Sequence, residues 1–153
     1  MTVQIAACDP ASSAARAMGE ALWEEIQRRY GFTAPYPFDP ADYAGPVGGF
    51  WIALLDDRPV GSVALAERAD GDAELDVMYV APDARGAGVA QALLAALEEH
   101  ARSRGVRRLV LRAGEPQPEA MRFYAAAGFT RIPVFGKWVE DPTSICLAKP
   151  VGG

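Results

Sequence analysis

The spacing of apolar residues changes period several times along the chain, and each change marks an element. Val3–Cys8 reads as a first strand. Ser12–Tyr30 carries Ala15, Met18, Leu22, Ile26 and Tyr30 at helical spacing, which predicts an amphipathic helix capped by Ser12 or Ser13. Phe50–Asp56 and Val60–Glu67 predict a hairpin around Asp57-Arg58-Pro59. After the Asp70-Gly71-Asp72 turn, Glu74–Val80 alternates as a half-buried strand. Leu75, Val77 and Tyr79 share one face, and Glu74, Asp76, Met78 and Val80 share the other. Pro82 ends that strand, and Leu93, Leu94, Leu97 and Ala101 return to helical spacing. Arg108–Ala113 reads as a strand, Gln117–Phe129 as a short helix closing on Gly128, and Ser144–Lys149 as a last strand. Strands and helices interleave, so the fold class is α/β (α+β).

The junction after Val80 carries the first chemistry. Arg85-Gly86-Ala87-Gly88-Val89-Ala90 lies where a new helix exposes its unpaired N–H groups, and a phosphate fits there on backbone donors and the helix dipole. A dinucleotide fingerprint needs Gly or Ala where Gln91 stands, and a P-loop needs Gly-Lys-Ser/Thr. Neither pattern is present.

Composition narrows the class. A chain of 153 residues that is 50% hydrophobic buries about two-thirds of its unfolded surface, which is enough for one core without staples. One domain over residues 1–153 is expected. No apolar run approaches the ~18–20 residues of a membrane span, and there is no basic leader with a hydrophobic stretch, so the expected place is the cytoplasm, with no membrane partner. A net charge of -5 argues against nucleic acid. Cys8 and Cys146 are read as reduced core residues, and His100 as a solvated helix-end residue. No cluster suggests a metal site.

The Arg85–Ala90 turn resembles the R/Q-x-x-G-x-G/A signature of the GNAT (Gcn5-related) N-acetyltransferases, in which this turn grips the pyrophosphate of acetyl-CoA. A helix carrying Tyr124 ahead of Gly128-Phe129 resembles the segment after the family's fifth strand, where a Tyr hydroxyl lies near the CoA sulfur. The element order β-α-β-β-β-α-β-α-β-β is the family's order. The tail GFTRIPVFGKWVEDPTSICLAKP is similar to a bacterial subgroup of the family. The resemblance implies a central, mixed, mostly antiparallel sheet of about seven strands flanked by helices and splayed between strands 4 and 5. It also implies that the proline- and aromatic-rich stretch Tyr30–Gly49 covers the acceptor side of the cleft.

Acetyl-CoA is then expected as co-substrate, held by Arg85, Gly86, Ala87, Gly88, Val89 and Ala90, by the strand at Met78, Tyr79 and Val80, and by Gln117. A backbone N–H of Met78 or Val80 would polarise the thioester carbonyl, and Tyr124 would protonate the leaving sulfur. For the base, Glu74 matches the position where many relatives carry a carboxylate. Asp76 lies on the same strand face, where close relatives more often carry a basic residue. Two departures stand out: Ala113 replaces a common acidic residue, and Gln117-Pro118 replaces an Asn that often contacts CoA. Arg102, Arg104, Arg107 and Arg108 form either a solvated helix end or a contact for the CoA 3'-phosphate. The expected activity is acetyl transfer to a primary amine of a small molecule or peptide. A non-catalytic acyl-CoA sensor, a longer acyl donor and a homodimer stay open.

Overall fold

The computed structural model describes residues 2–152 apart from Glu115, Lys137, Trp138, Glu140 and Thr143. Part of the tail resemblance falls outside the described residues. Seven strands form one sheet: β1 (Val3–Ala7), β2 (Gly49–Leu55), β3 (Arg58–Glu67), β4 (Asp72–Val80), β5 (Arg108–Gly114), β6 (Thr130–Ile132) and β7 (Ser144–Pro150). Their spatial order is β1-β2-β3-β4-β5-β7-β6, and among the described residues the β4–β5 pair alone runs parallel. Helix α2 (Val89–Ser103) supplies the crossover between those two strands.

Each helix lies where its apolar face demands. Leu93, Leu97 and Ala101 of α2 are fully buried against Val63, Leu65, Leu109 and Leu111 of the sheet, and α3 (Pro118–Ala126) adds Tyr124 to the same cluster. On the opposite face α1 (Ser13–Tyr30) covers a smaller cluster with Ala15, Phe50, Ile52 and Ala64. Ser12 is the cap of α1, its Oγ accepting from the Ala15 N–H at 3.2 Å. Gly31 closes the helix at φ +75°.

Three expectations need correction here. The β2–β3 turn is Asp56-Asp57, both at positive φ, and Arg58 and Pro59 already belong to β3. A two-residue turn with both positions left-handed matches the twist of the strands, which moves the hairpin tip one residue back. Cys8 is half-buried rather than core, whereas Cys146 is buried; both are free, and they lie in opposite halves of the sheet. His100 is packed rather than solvated, its Nε2 2.9 Å from the Val47 carbonyl and its ring edge-on to Trp51 at 4.9 Å.

The fourth correction shapes the site. Between Ser62↔Tyr79 and Ala64↔Asp76, β4 advances three residues while β3 advances two. The extra residue is Val77, at φ +54°, and the Ser62 Oγ donates to its carbonyl at 2.8 Å. A β-branched residue with left-handed backbone is uncommon, and a bulge flips the alternation beyond it. Met78 and Val80 therefore pack with Leu75 on the α2 face, while Tyr79 moves to the α1 face with Glu74, Asp76 and Val77. The expected shared face of Glu74, Asp76, Met78 and Val80 does not form.

Candidate active site

Pairing between β4 and β5 stops after Glu74↔Val110, and the strands separate. A cleft of about 510 Å³ opens in the gap, walled by β4 from Leu75 to Val80, by Leu111 and Arg112 of β5, by Leu22 and Ile26 of α1 and by Phe123 and Tyr124 of α3. Of the residues expected at a site, the cleft brings together Met78, Tyr79, Val80, Arg85, Gly86, Gly88, Val89, Ala90, Gln117 and Tyr124. Ala87 faces a neighbouring hollow beside Arg58 and Asp83. Glu74 does not line the cleft.

One end of the cleft is built from backbone. Gly86 and Gly88 lie at φ +85° and +80°, and a Cβ on either would meet nothing within 4 Å, so the turn is an open cradle. Gly88 is the N-cap of α2 and supplies no side-chain acceptor. The first-turn amides have no intrahelical acceptor either, and with the helix dipole they present positive potential to the cleft. These residues fit a pyrophosphate. The Arg85 side chain is otherwise engaged: its Nε donates to the Val80 carbonyl at 3.0 Å and its Nη2 pairs with Glu25 at 2.6 Å. Glu25 also meets Arg29 at 3.8 Å, and Arg29 pairs with Glu119 of α3, so a line of charges joins the turn, α1 and α3 across the mouth.

The other end is built from side chains. Tyr124 is 5% exposed, and burial followed by the nearby Asp76 carboxylate pushes its phenol pKa up, so it is neutral at physiological pH. Asp76 lines the cleft and accepts from the Tyr43 hydroxyl at 3.1 Å. Burial, then the adjoining Glu74, raises its proton affinity well above the usual carboxylate range. Glu74 behind it is 6% exposed, and its Oε1 is 3.1 Å from Arg68 Nε. Gln117 turns its Oε1 to the Tyr30 hydroxyl at 3.0 Å, and that hydroxyl also accepts from Arg112 Nη1 at 3.1 Å. Gly114 permits the close approach, since a Cβ there would lie 1.8 Å from the Tyr30 hydroxyl.

The basic group is separate from the cradle. Arg104, Arg107 and Arg108 follow the C-terminus of α2, whose 15 residues span about 22 Å at the standard rise. Arg108 is held bidentately by Asp72 at 3.1 and 2.8 Å. A 3'-phosphate contact there has no geometric support.

Glu25, Arg112 and Tyr43 were missed as site residues. Glu25 was legible in part, because it sits beside Leu22 and Ile26 on the apolar stripe of α1, where a charge must find a partner. Tyr43 could be placed only by tertiary structure.

With this geometry in hand, comparison with known proteins gives a consistent picture. The profile of the acetyltransferase (GNAT) family matches residues 17–129. An IAA acetyltransferase of Azospirillum brasilense is 32% identical over 135 residues, covering 85% of this chain and 88% of its own. A mycothiol acetyltransferase of Thermobispora bispora is 37% identical over 71% of this chain, a match that spans only 35% of that longer protein. Among solved structures, a GNAT-family acetyltransferase of Staphylococcus aureus superposes with TM-score 0.80 at 15% identity, covering 98% of this chain and 99% of that one. A PaiA N-acetyltransferase of Thermoplasma acidophilum in complex with coenzyme A gives 0.75 at 16% identity over 98% and 99%. Both show the fold.

Proposed function

The chain belongs to the acetyltransferase (GNAT) family and is an N-acetyltransferase, and from that premise we propose that residues 1–153 act as one domain moving an acetyl group from acetyl-CoA to a primary amine of a small molecule or peptide. One feature carries this function above the others: the cleft has an anion cradle at one end and a carboxylate and a phenol at the other. A thioester with a phosphate-bearing tail needs both ends.

The backbone amides of Gly86–Ala90 hold the pyrophosphate, and Gln117 and the edge of β4 at Met78–Val80 hold the arm between. Acetyl-CoA supplies the activated acyl carbon. Asp76, the carboxylate at the cleft, takes one proton from the acceptor ammonium, and Glu74 sits behind it. The freed amine nitrogen bonds to the thioester carbon, whose oxygen is stabilised by an amide of the splayed strand. As the C–S bond breaks, Tyr124 gives its proton to the sulfur and is reprotonated from the new amide nitrogen. The products are the N-acetyl amine, the CoA thiol and one proton released from Asp76.

The test is a panel of small primary amines and peptides with free N-termini, with acetyl-CoA and a thiol-reactive dye to follow CoA release. Amine-dependent release is expected, lost in Asp76→Asn with CoA binding retained. Tight CoA binding with no release across the panel points instead to a non-catalytic sensor.

A further inference from the structure

The carboxylate facing the cleft is gripped from two sides, by residues with no part in the chemistry above. Tyr43 ends the short 3-10 turn Pro40–Tyr43 within the proline- and aromatic-rich stretch. Its ring is 9% exposed, stacked on Phe38 at 5.5 Å and edge-on to Phe50 at 6.4 Å, which fixes where the hydroxyl can point. That hydroxyl donates to Asp76 Oδ2 at 3.1 Å, restricting rotation of the carboxylate. On the other side lies Glu74, two residues back on the same face, with the Arg68 guanidinium as counter-ion at 3.1 Å.

We propose that Tyr43 and Glu74 are positioning residues for Asp76, the first orienting its carboxylate toward the acceptor amine and the second, clamped by Arg68, setting a fixed negative charge behind it. This rests on Asp76 as the proton acceptor. The two partners act with opposite sign. A hydrogen bond donated to the ionised form favours that form, whereas a like charge disfavours it. Arg68 opposes Glu74, two further phenols feel the Asp76 charge, Tyr36 of the same loop, whose pKa burial pushes up to about 12, and Tyr124 of α3, and Arg112 lines the same cleft. The loop that carries Tyr43 therefore also conditions the base.

The experiment is an NMR titration of the full chain labelled at aspartate 13Cγ, the Asp76 signal being assigned by its loss in Asp76→Asn. Tyr43→Phe should raise the Asp76 midpoint and Glu74→Gln should lower it, each by roughly one pH unit. Above both midpoints, Tyr43→Phe should still lower kcat while KM for acetyl-CoA stays at the parent value. Arg68→Gln, at a side chain 43% exposed, should move the midpoint upward and keeps the sign test open if Tyr43→Phe fails to fold. Unmoved midpoints in folded variants, or shifts of the same sign in Tyr43→Phe and Glu74→Gln, overturn the arrangement. Full turnover by Asp76→Asn is a different failure: it removes the proton-acceptor role and the positioning role with it, whatever the titrations give.

Discussion

The two ends of the cleft are made differently. At the cradle, Gly86 and Gly88 shape a backbone that presents amides, and side chains matter mainly by staying away. At the acid–base end of the proposed reaction the groups are side chains drawn together by the fold: Asp76 and Glu74 of β4, Tyr43 of the loop ahead of β2 and Tyr124 of α3. A backbone site depends on local conformation, so it is robust to everything except a new side chain or charge. A side-chain site depends on tertiary contacts, so single-atom deletions reach it. The contrast predicts where each class of substitution acts.

The largest effect belongs at the side-chain end. Tyr124→Phe deletes one oxygen and keeps the ring, which packs edge-on to Phe123 at 5.2 Å and Phe129 at 5.3 Å. We expect kcat to fall by roughly 10²–10⁴-fold, the usual range for a lost general acid, with CoA affinity and melting temperature near the parent. A variant that turns over normally but melts early would make Tyr124 a core residue and nothing more.

At the cradle, Gly88→Glu should weaken CoA binding about 100-fold while Gly88→Ala weakens it far less. Both carry the same backbone strain of about 1–2 kcal/mol at positive φ. Only Glu brings a charge to the phosphate site. The open space around Gly88 lets either variant fold. Equal losses of CoA affinity in the two would mean that conformation, not charge, governs the cradle.

The same contrast explains what could be read in the sequence. The turn was legible because glycines at a strand-to-helix junction state their conformation locally, and Pro82 and the Leu93–Leu97 spacing fixed the junction. Most elements followed from periodicity, and the layered seven-stranded sheet from the family resemblance. The faces of β4 did not, because one inserted residue at Val77 reverses the alternation and nothing in ELDVMYV announces a left-handed valine. Which carboxylate meets the cleft is set by where β4 and β5 part, just after Glu74↔Val110. Glu74 matched a family position, yet Asp76 lines the opening, and its partner Tyr43 lies 33 residues away in a loop with no periodicity to place it.

Glu25 ties the cradle turn to α1 and should show an intermediate effect. Its carboxylate, 15% exposed, pairs with the Arg85 guanidinium and would compete with a bound phosphate for it. Glu25→Gln should tighten CoA binding by a few fold, within the ~1 kcal/mol typical of a partly exposed pair. Calorimetric titration at low and high salt would check it, since the gain should shrink with screening. A loss of affinity instead would assign Glu25 to holding the turn rather than restraining Arg85.

The smallest effect is the most discriminating about the basic group. Arg108 is an exposed guanidinium on a bidentate partner, at the start of β5 beside Asp72, where β4 begins. The cradle follows the opposite end of β4, so a CoA with its pyrophosphate at Gly86 and its thioester in the cleft keeps its 3'-phosphate at the end away from Arg108. Arg108→Gln should therefore leave CoA affinity within about twofold and cost at most ~1 kcal/mol of stability, the usual ceiling for an exposed ion pair. Stability should fall mainly at low salt, because the Asp72 carboxylate loses its counter-ion where screening is weakest. A tenfold drop in affinity for CoA, with affinity for dephospho-CoA unchanged, would place the 3'-phosphate at this end of the sheet and reverse the direction assigned to the cofactor in the cleft.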